Sequence, residues 1–90
     1  MSSPLYFVYV IQNAAGRFYV GLTENLAVRV NQHNEGMSVW TRGKGPWKLV
    51  WTSSQLSLSA ARRLEKRIKC QKGGVGFYRM TGITDSIAGS

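Results

Sequence analysis

Residues 6 to 21 constrain this chain more than any other stretch, because two strand-forming runs flank one short turn signal. The first run is Tyr6-Phe7-Val8-Tyr9-Val10-Ile11-Gln12; the second is Arg17-Phe18-Tyr19-Val20-Gly21. Both are aromatic and β-branched, the composition of a β-hairpin. Between them, a three-residue loop Ala14-Ala15-Gly16 with Gly16 left-handed is a common closure. It predicts the pairs Asn13–Arg17, Ile11–Tyr19 and Tyr9–Gly21. In that register Tyr9 and Tyr19 share one face, diagonally adjacent at about 7–8 Å. A two- or four-residue loop would send them to opposite faces. Gly21 is expected to leave open space beside the Tyr9 ring, where a substrate could approach.

Ninety residues make one domain, with a modest core of strands and helices. The net charge of +8 sets twelve Lys and Arg against Glu24, Glu35, Glu65 and Asp85. That excess points to a polyanionic partner, most simply nucleic acid. Cys70 is the only cysteine, which excludes an internal disulfide and a thiolate zinc cluster. The longest apolar run, Leu5 to Ile11, is too short to span a bilayer, and the N-terminus has no secretory pattern. A soluble cytoplasmic monomer with no membrane partner is the expectation.

Beyond the hairpin, Asn25 reads as an N-cap for a helix from Leu26 to about Glu35, closed by a left-handed Gly36. Leu26 and Val30 form its inward stripe, and Arg29 and His33, four apart, lie along the stripe's edge. Met37 to Pro46 reads as a basic loop carrying Arg42 and Lys44. Trp47 to Thr52 alternates as a third strand, with Trp47, Leu49 and Trp51 expected on one face. Ser57 or Ser59 caps a second helix to about Gln71, whose buried stripe is Ala61, Leu64 and Ile68. Glu65 stands alone there among Arg62, Arg63, Lys66, Arg67 and Lys69. It reads either as a surface acid paired with Arg62 and Lys69, or as a cation ligand on a phosphate-holding surface. Gly73 to Gly76 lacks the ending of a nucleotide cradle and reads as a flexible connector. Phe77 and Tyr78 are expected to fold back onto the core. The domain is drawn over residues 1–82, with 83–90 as a flexible tail.

The order Phe7-Val8-Tyr9, Tyr19-Val20-Gly21, Arg29, His33 and a later helix Glu resembles the GIY-YIG nuclease superfamily. Its small single-domain bacterial members are the nearer likeness, together with the catalytic domain of a eukaryotic structure-selective endonuclease. Supporting stretches are Val20 to Leu26, Asn31 to Gly36, Trp40 to Val50 and Leu64 to Lys69. The resemblance implies an α+β fold: a three-stranded antiparallel sheet flanked by helices, ordered β-β-α-β-α with a short C-terminal segment. It implies a phosphodiesterase using Mg²⁺ or Mn²⁺, with Tyr9, Tyr19, Arg29, His33 and Glu65 catalytic and Glu65 the metal ligand. Phe7 replaces the Gly of the first motif and Val20 the Ile of the second; neither change removes a reactive group.

In such a reaction Arg29 clamps non-bridging oxygens and a metal on Glu65 stabilises the leaving oxygen. The general base is Tyr9 or His33; a free tyrosine has a pKa near ~10, and an electropositive pocket favours its phenolate. Gly21, Arg42, Lys44, Arg62, Lys66, Lys69 and Lys72 are the expected nucleic-acid contacts, with Trp40, Trp47, Phe77 and Tyr78 as stacking surfaces. Single-stranded or branched DNA is the expected substrate, with room for a partner protein. The alternatives are a non-catalytic nucleic-acid-binding module and a protein-interaction domain on the same fold.

Overall fold

The computed structural model describes residues 4–36, 41–72 and 74–83. Strands β1 (Phe7–Asn13), β2 (Phe18–Thr23) and β3 (Trp47–Thr52) form one antiparallel sheet in the order β2-β1-β3. Helix α1 (Leu26–Asn34) follows β2, and helices α2 (Leu58–Gln71) and α3 (Val75–Thr81) follow β3. Trp40, Gly73 and residues 84–90 lie outside the described residues, so the stacking role of Trp40 and most of the expected tail are not addressed. No helix among the described residues is long and apolar enough to cross a membrane.

The hairpin closes on the expected loop. Gly16 has φ 85°, its amide donates to Asn13 O at 3.0 Å, and Asn13 N donates to Arg17 O at 3.0 Å. The register then runs Ile11 opposite Tyr19 and Tyr9 opposite Gly21. Alternation divides β1 between two cores. Val8 and Val10 join Val20, Ala61, Ile68 and Phe77 on the face covered by α2 and α3. Tyr9 and Ile11 join Trp47 on the other face, with Tyr19, Leu26 and Val30 around them.

Helix α1 begins where Asn25 Oδ1 accepts from Val28 N at 3.2 Å, and ends before a left-handed Gly36 at φ 76°. In α2 the cap is Ser57, whose hydroxyl accepts from Ala60 N.

Two local expectations are corrected. Trp51 does not share a face with Trp47: Ile11 pairs with Leu49 and Val10 with Trp51, so Val50 is an extra residue in β3. This bulge reverses the alternation, leaving Trp47 beside Tyr9 and sending Val50 and Trp51 to the α2 side. The described part of the glycine-rich segment is the start of a helix rather than a connector. Gly74 caps α3, and a Cβ at Gly76 would meet the end of the exposed Gln71 side chain. Phe77 at its centre is fully buried, packed against Phe18 with ring centroids 4.9 Å apart.

Candidate active site

The β1–β2 register brings the two tyrosines to one face, and α1 lays His33 across them. Tyr9 Oη lies 2.8 Å from His33 Nε2, and the Tyr19 ring meets the His33 ring edge-on at 4.9 Å between centroids. The other ring nitrogen, Nδ1, lies 2.7 Å from Thr41 Oγ1. Thr41 is itself fixed, its carbonyl accepting from Trp47 Nε1 at 3.1 Å. Tyr9, His33 and Thr41 are all buried, so a continuous chain of polar side chains runs through the core beneath the sheet face. Such a chain is affordable in a core only when every member has a partner, and among the described residues no buried side-chain polar atom lacks one.

Gly21 does not open a space beside Tyr9. A Cβ there would sit 2.5 Å from Tyr9 Oη and 2.7 Å from Cζ, so the phenol itself fills the room the missing side chain leaves. Glycine is needed at this position because the ring must cross over it to reach His33. Its expected role as a nucleic-acid contact is corrected accordingly: Gly21 is buried.

Arg29, one turn before His33, is half-buried beside this chain, and its Nη1 donates to Gln32 Oε1 at 3.0 Å. Its charge acts on both partners of the Tyr9–His33 bond. Burial pushes the Tyr9 phenol up to about 12; the hydrogen-bonded Arg29 guanidinium opposes that rise, and Tyr19 and Glu65 add to it. From the protein's own groups alone the pocket does not favour the phenolate, because loss of hydration outweighs Arg29. For His33, burial and then Arg29 hold the imidazole down to about 4. Both groups are neutral at physiological pH, joined by one short hydrogen bond.

Glu65 is half-buried on α2, near enough for its charge to act on Tyr9, and its Oε2 lies 3.3 Å from Lys69 Nζ. Arg62, the other expected partner, forms no ion pair with it among the described residues. No group of three or more potential metal-ligating side chains exists among the described residues. Glu65 could offer one carboxylate to a cation, an arrangement compatible with small hard ions such as Mg²⁺ or Mn²⁺, whose shells are completed by water and substrate oxygens.

The basic residues separate into two groups. Lys44, Lys69 and Lys72 line one cavity of about 530 Å³ that also exposes Tyr19. Arg17 lines it as well and was missed, although the three-residue loop places it directly beside Gly16. Arg62 and Lys66 are exposed on α2 but do not line it, and Arg42 instead donates its Nε to Gly36 O at 2.9 Å. Phe77 and Trp47 are too buried to stack on a base, whereas Tyr78 is half-buried. Thr41 and Gln32 were also missed: Thr41 sits in a loop without periodicity, while Gln32 was signalled only by its helical spacing from Arg29.

Comparison with known proteins is consistent with this arrangement. The model of the GIY-YIG catalytic domain matches residues 5–86. A UPF0213 protein of Aeromonas hydrophila is 39% identical over 67 residues, covering 73% of this chain and 49% of its own. UPF0213 protein SG0387 of Sodalis glossinidius is 39% identical over 70 residues, 77% of this chain and 65% of its own. One from Yersinia pestis is 37% identical over 70 residues, 77% and 74% respectively. The chain thus spans about half the length of the Aeromonas relative. No solved structure matches. With the family model covering nearly the whole sequence, and with both tyrosine motifs on one hairpin face, this chain belongs to the GIY-YIG family.

Proposed function

We propose that this chain is a divalent-metal-dependent endonuclease that hydrolyses phosphodiester bonds in single-stranded or branched DNA with little sequence preference. The observation that carries this reading is the convergence of Tyr9, Tyr19, His33 and Arg29 on one face of the hairpin, with Glu65 near and a basic groove alongside. Arg29 neutralises the phosphate, since its planar fork matches two non-bridging oxygens. A Mg²⁺ or Mn²⁺ ion on Glu65 would supply charge stabilisation at the leaving oxygen.

The base is the Tyr9–His33 pair acting together. His33 is buried with its ring nitrogens engaged by Tyr9 and Thr41, so a proton from the attacking water is relayed to it through Tyr9, whose ring is buried as well. As water attacks phosphorus it gives a proton to Tyr9 Oη, and Tyr9 gives its own to His33 Nε2. Nδ1–H meanwhile donates to Thr41 Oγ1. The phenol never carries a full charge, which accommodates its high pKa. The positive charge that forms on His33 is offset by the anionic phosphate held at Arg29. Tyr19 borders this path and orients the water or the phosphate.

The test is incubation of labelled single-stranded, flapped and blunt duplex DNA with Mg²⁺, Mn²⁺ or EDTA, using the wild type and Glu65→Gln. Cleavage of single strands and flaps that needs the metal and vanishes in Glu65→Gln is the expected result. Wild-type rates in that variant would reduce Glu65 to a surface acid and remove the metal from the scheme.

A further inference from the structure

Beyond the five residues of the reaction, the structure holds four cations with a common opening. Arg17 just before β2, Lys44 in the loop before β3, Lys69 in the last turn of α2 and Lys72 at its C-cap line the groove of about 530 Å³. Tyr19 and Trp47 contribute to its wall. A second depression of about 350 Å³ shares Arg17 and Lys72 and continues to Gly16 and Tyr78. The groove follows the outer edge of β2, which pairs with β1 alone. Strand alternation turns the Tyr9 and Ile11 amides toward β2, because Val8 bonds to β3 through Ser53. By the same rule the amides of Phe18 and Val20 face outward, toward the groove.

We propose that this groove is the track of a single nucleic-acid strand flanking the scissile bond, holding the neighbouring phosphate between Arg17, Lys69 and Lys72 and bringing a base against Tyr78. The idea rests on the nuclease reading for its direction: Glu65 lies one turn before Lys69 on α2, so the track leads away from the reacting phosphate toward the hairpin turn. Three features favour a phosphate over solvent alone. The Lys72 ammonium is destabilised by burial and by the like charges of Lys69 and Arg17, a crowding that a bound anion relieves. The only carboxylate ion-paired to any of these four cations, among the described residues, is Glu65 on Lys69. Outward amides along β2 add donors that suit an anion. The groove is bounded by the sheet edge and α2, which suits one strand rather than the wide face of a duplex.

The experiment measures binding of fluorescent oligo-dT in EDTA across a salt series, so that cleavage plays no part. Arg17→Gln/Lys72→Gln is compared with Lys48→Gln, which removes charge from an exposed β3 position away from the groove. The double variant should bind about tenfold more weakly, with its salt slope reduced by about 0.7, the contribution of one neutralised phosphate on a single strand. Lys48→Gln should keep both values. Thermal melting checks folding, and Lys44→Gln, on an exposed loop, gives a second variant should the double one unfold. Equal losses in Lys48→Gln, wild-type binding by the groove variants, or equally tight binding of a polyglutamate peptide would each overturn the proposal. Binding that depends on the groove in a protein that never cleaves DNA would leave the track standing and remove the nuclease reading. Cleavage without any dependence on the groove would do the reverse.

Discussion

At the level of single residues, the polar chain Tyr9–His33–Thr41 is the most consequential feature, because each member is defined by the next. Gly21→Ala would thrust a methyl group onto the Tyr9 hydroxyl. The ring must then leave His33, and overpacking of this kind costs about 1–3 kcal/mol. Cleavage is expected to collapse while melting falls by roughly 4–8 °C for each kcal/mol lost; unchanged cleavage in Gly21→Ala would show that the Tyr9–His33 bond is dispensable. Thr41→Val keeps the shape but strands Nδ1, at about 1–3 kcal/mol, whereas Thr41→Ser should melt close to the wild type. The pH dependence follows from His33. Its folded pKa of about 4 lies below the unfolded value of about 6.5, so between these the unfolded chain binds more protons. Stability conferred by the neutral imidazole is therefore complete above about 6.5 and is lost as pH falls toward 4. The loss is roughly 1–3 kcal/mol in denaturant titrations, and is expected to disappear in His33→Gln. Cleavage should likewise keep its rate down to about pH 5, where an ordinary histidine base would already have failed.

At the level of elements, α1 carries Arg29 and His33, α2 carries Glu65 while its apolar stripe covers the sheet, and α3 closes the core behind it. Phe77 fills the far core, and Phe77→Ala is expected to cost about 3–5 kcal/mol, read from denaturant midpoints, although it touches none of the reacting groups. Much of this was legible beforehand. The hairpin register followed from one glycine and one loop length, the cap Asn25 followed from local side-chain chemistry, and the α2 cap was narrowed to Ser57 or Ser59, of which the structure uses Ser57. What was illegible depended on contacts distant in sequence. The bulge at Val50 answers the packing of two tryptophans onto opposite faces, which strict alternation cannot register. The helix α3 was hidden because its glycines look like a break. At the site, Tyr9, Tyr19, Arg29 and His33 were legible from spacing and family likeness. The balance of their charges was not, since burial, the dominant influence on Tyr9, belongs to the folded state.

At the level of the whole molecule, twelve basic residues against four acids are distributed unevenly. Four of them converge at the β2 edge, and the others are not gathered there. Binding to DNA should therefore weaken steeply with salt, and single strands or flaps should be cut faster than blunt duplex. A blunt duplex cut at one defined sequence as fast as any single strand would contradict that expectation. The order β2-β1-β3 carries a further consequence for hydrogen exchange. Tyr9 belongs to the central strand, its amide shielded by the hairpin and released to deuterium only with the whole sheet. The outward amides of Phe18 and Val20 have no strand beyond them and should exchange quickly in the free protein. A strand seated in the groove would slow those two alone, so one deuterium experiment would read occupancy at the edge and global stability at the centre.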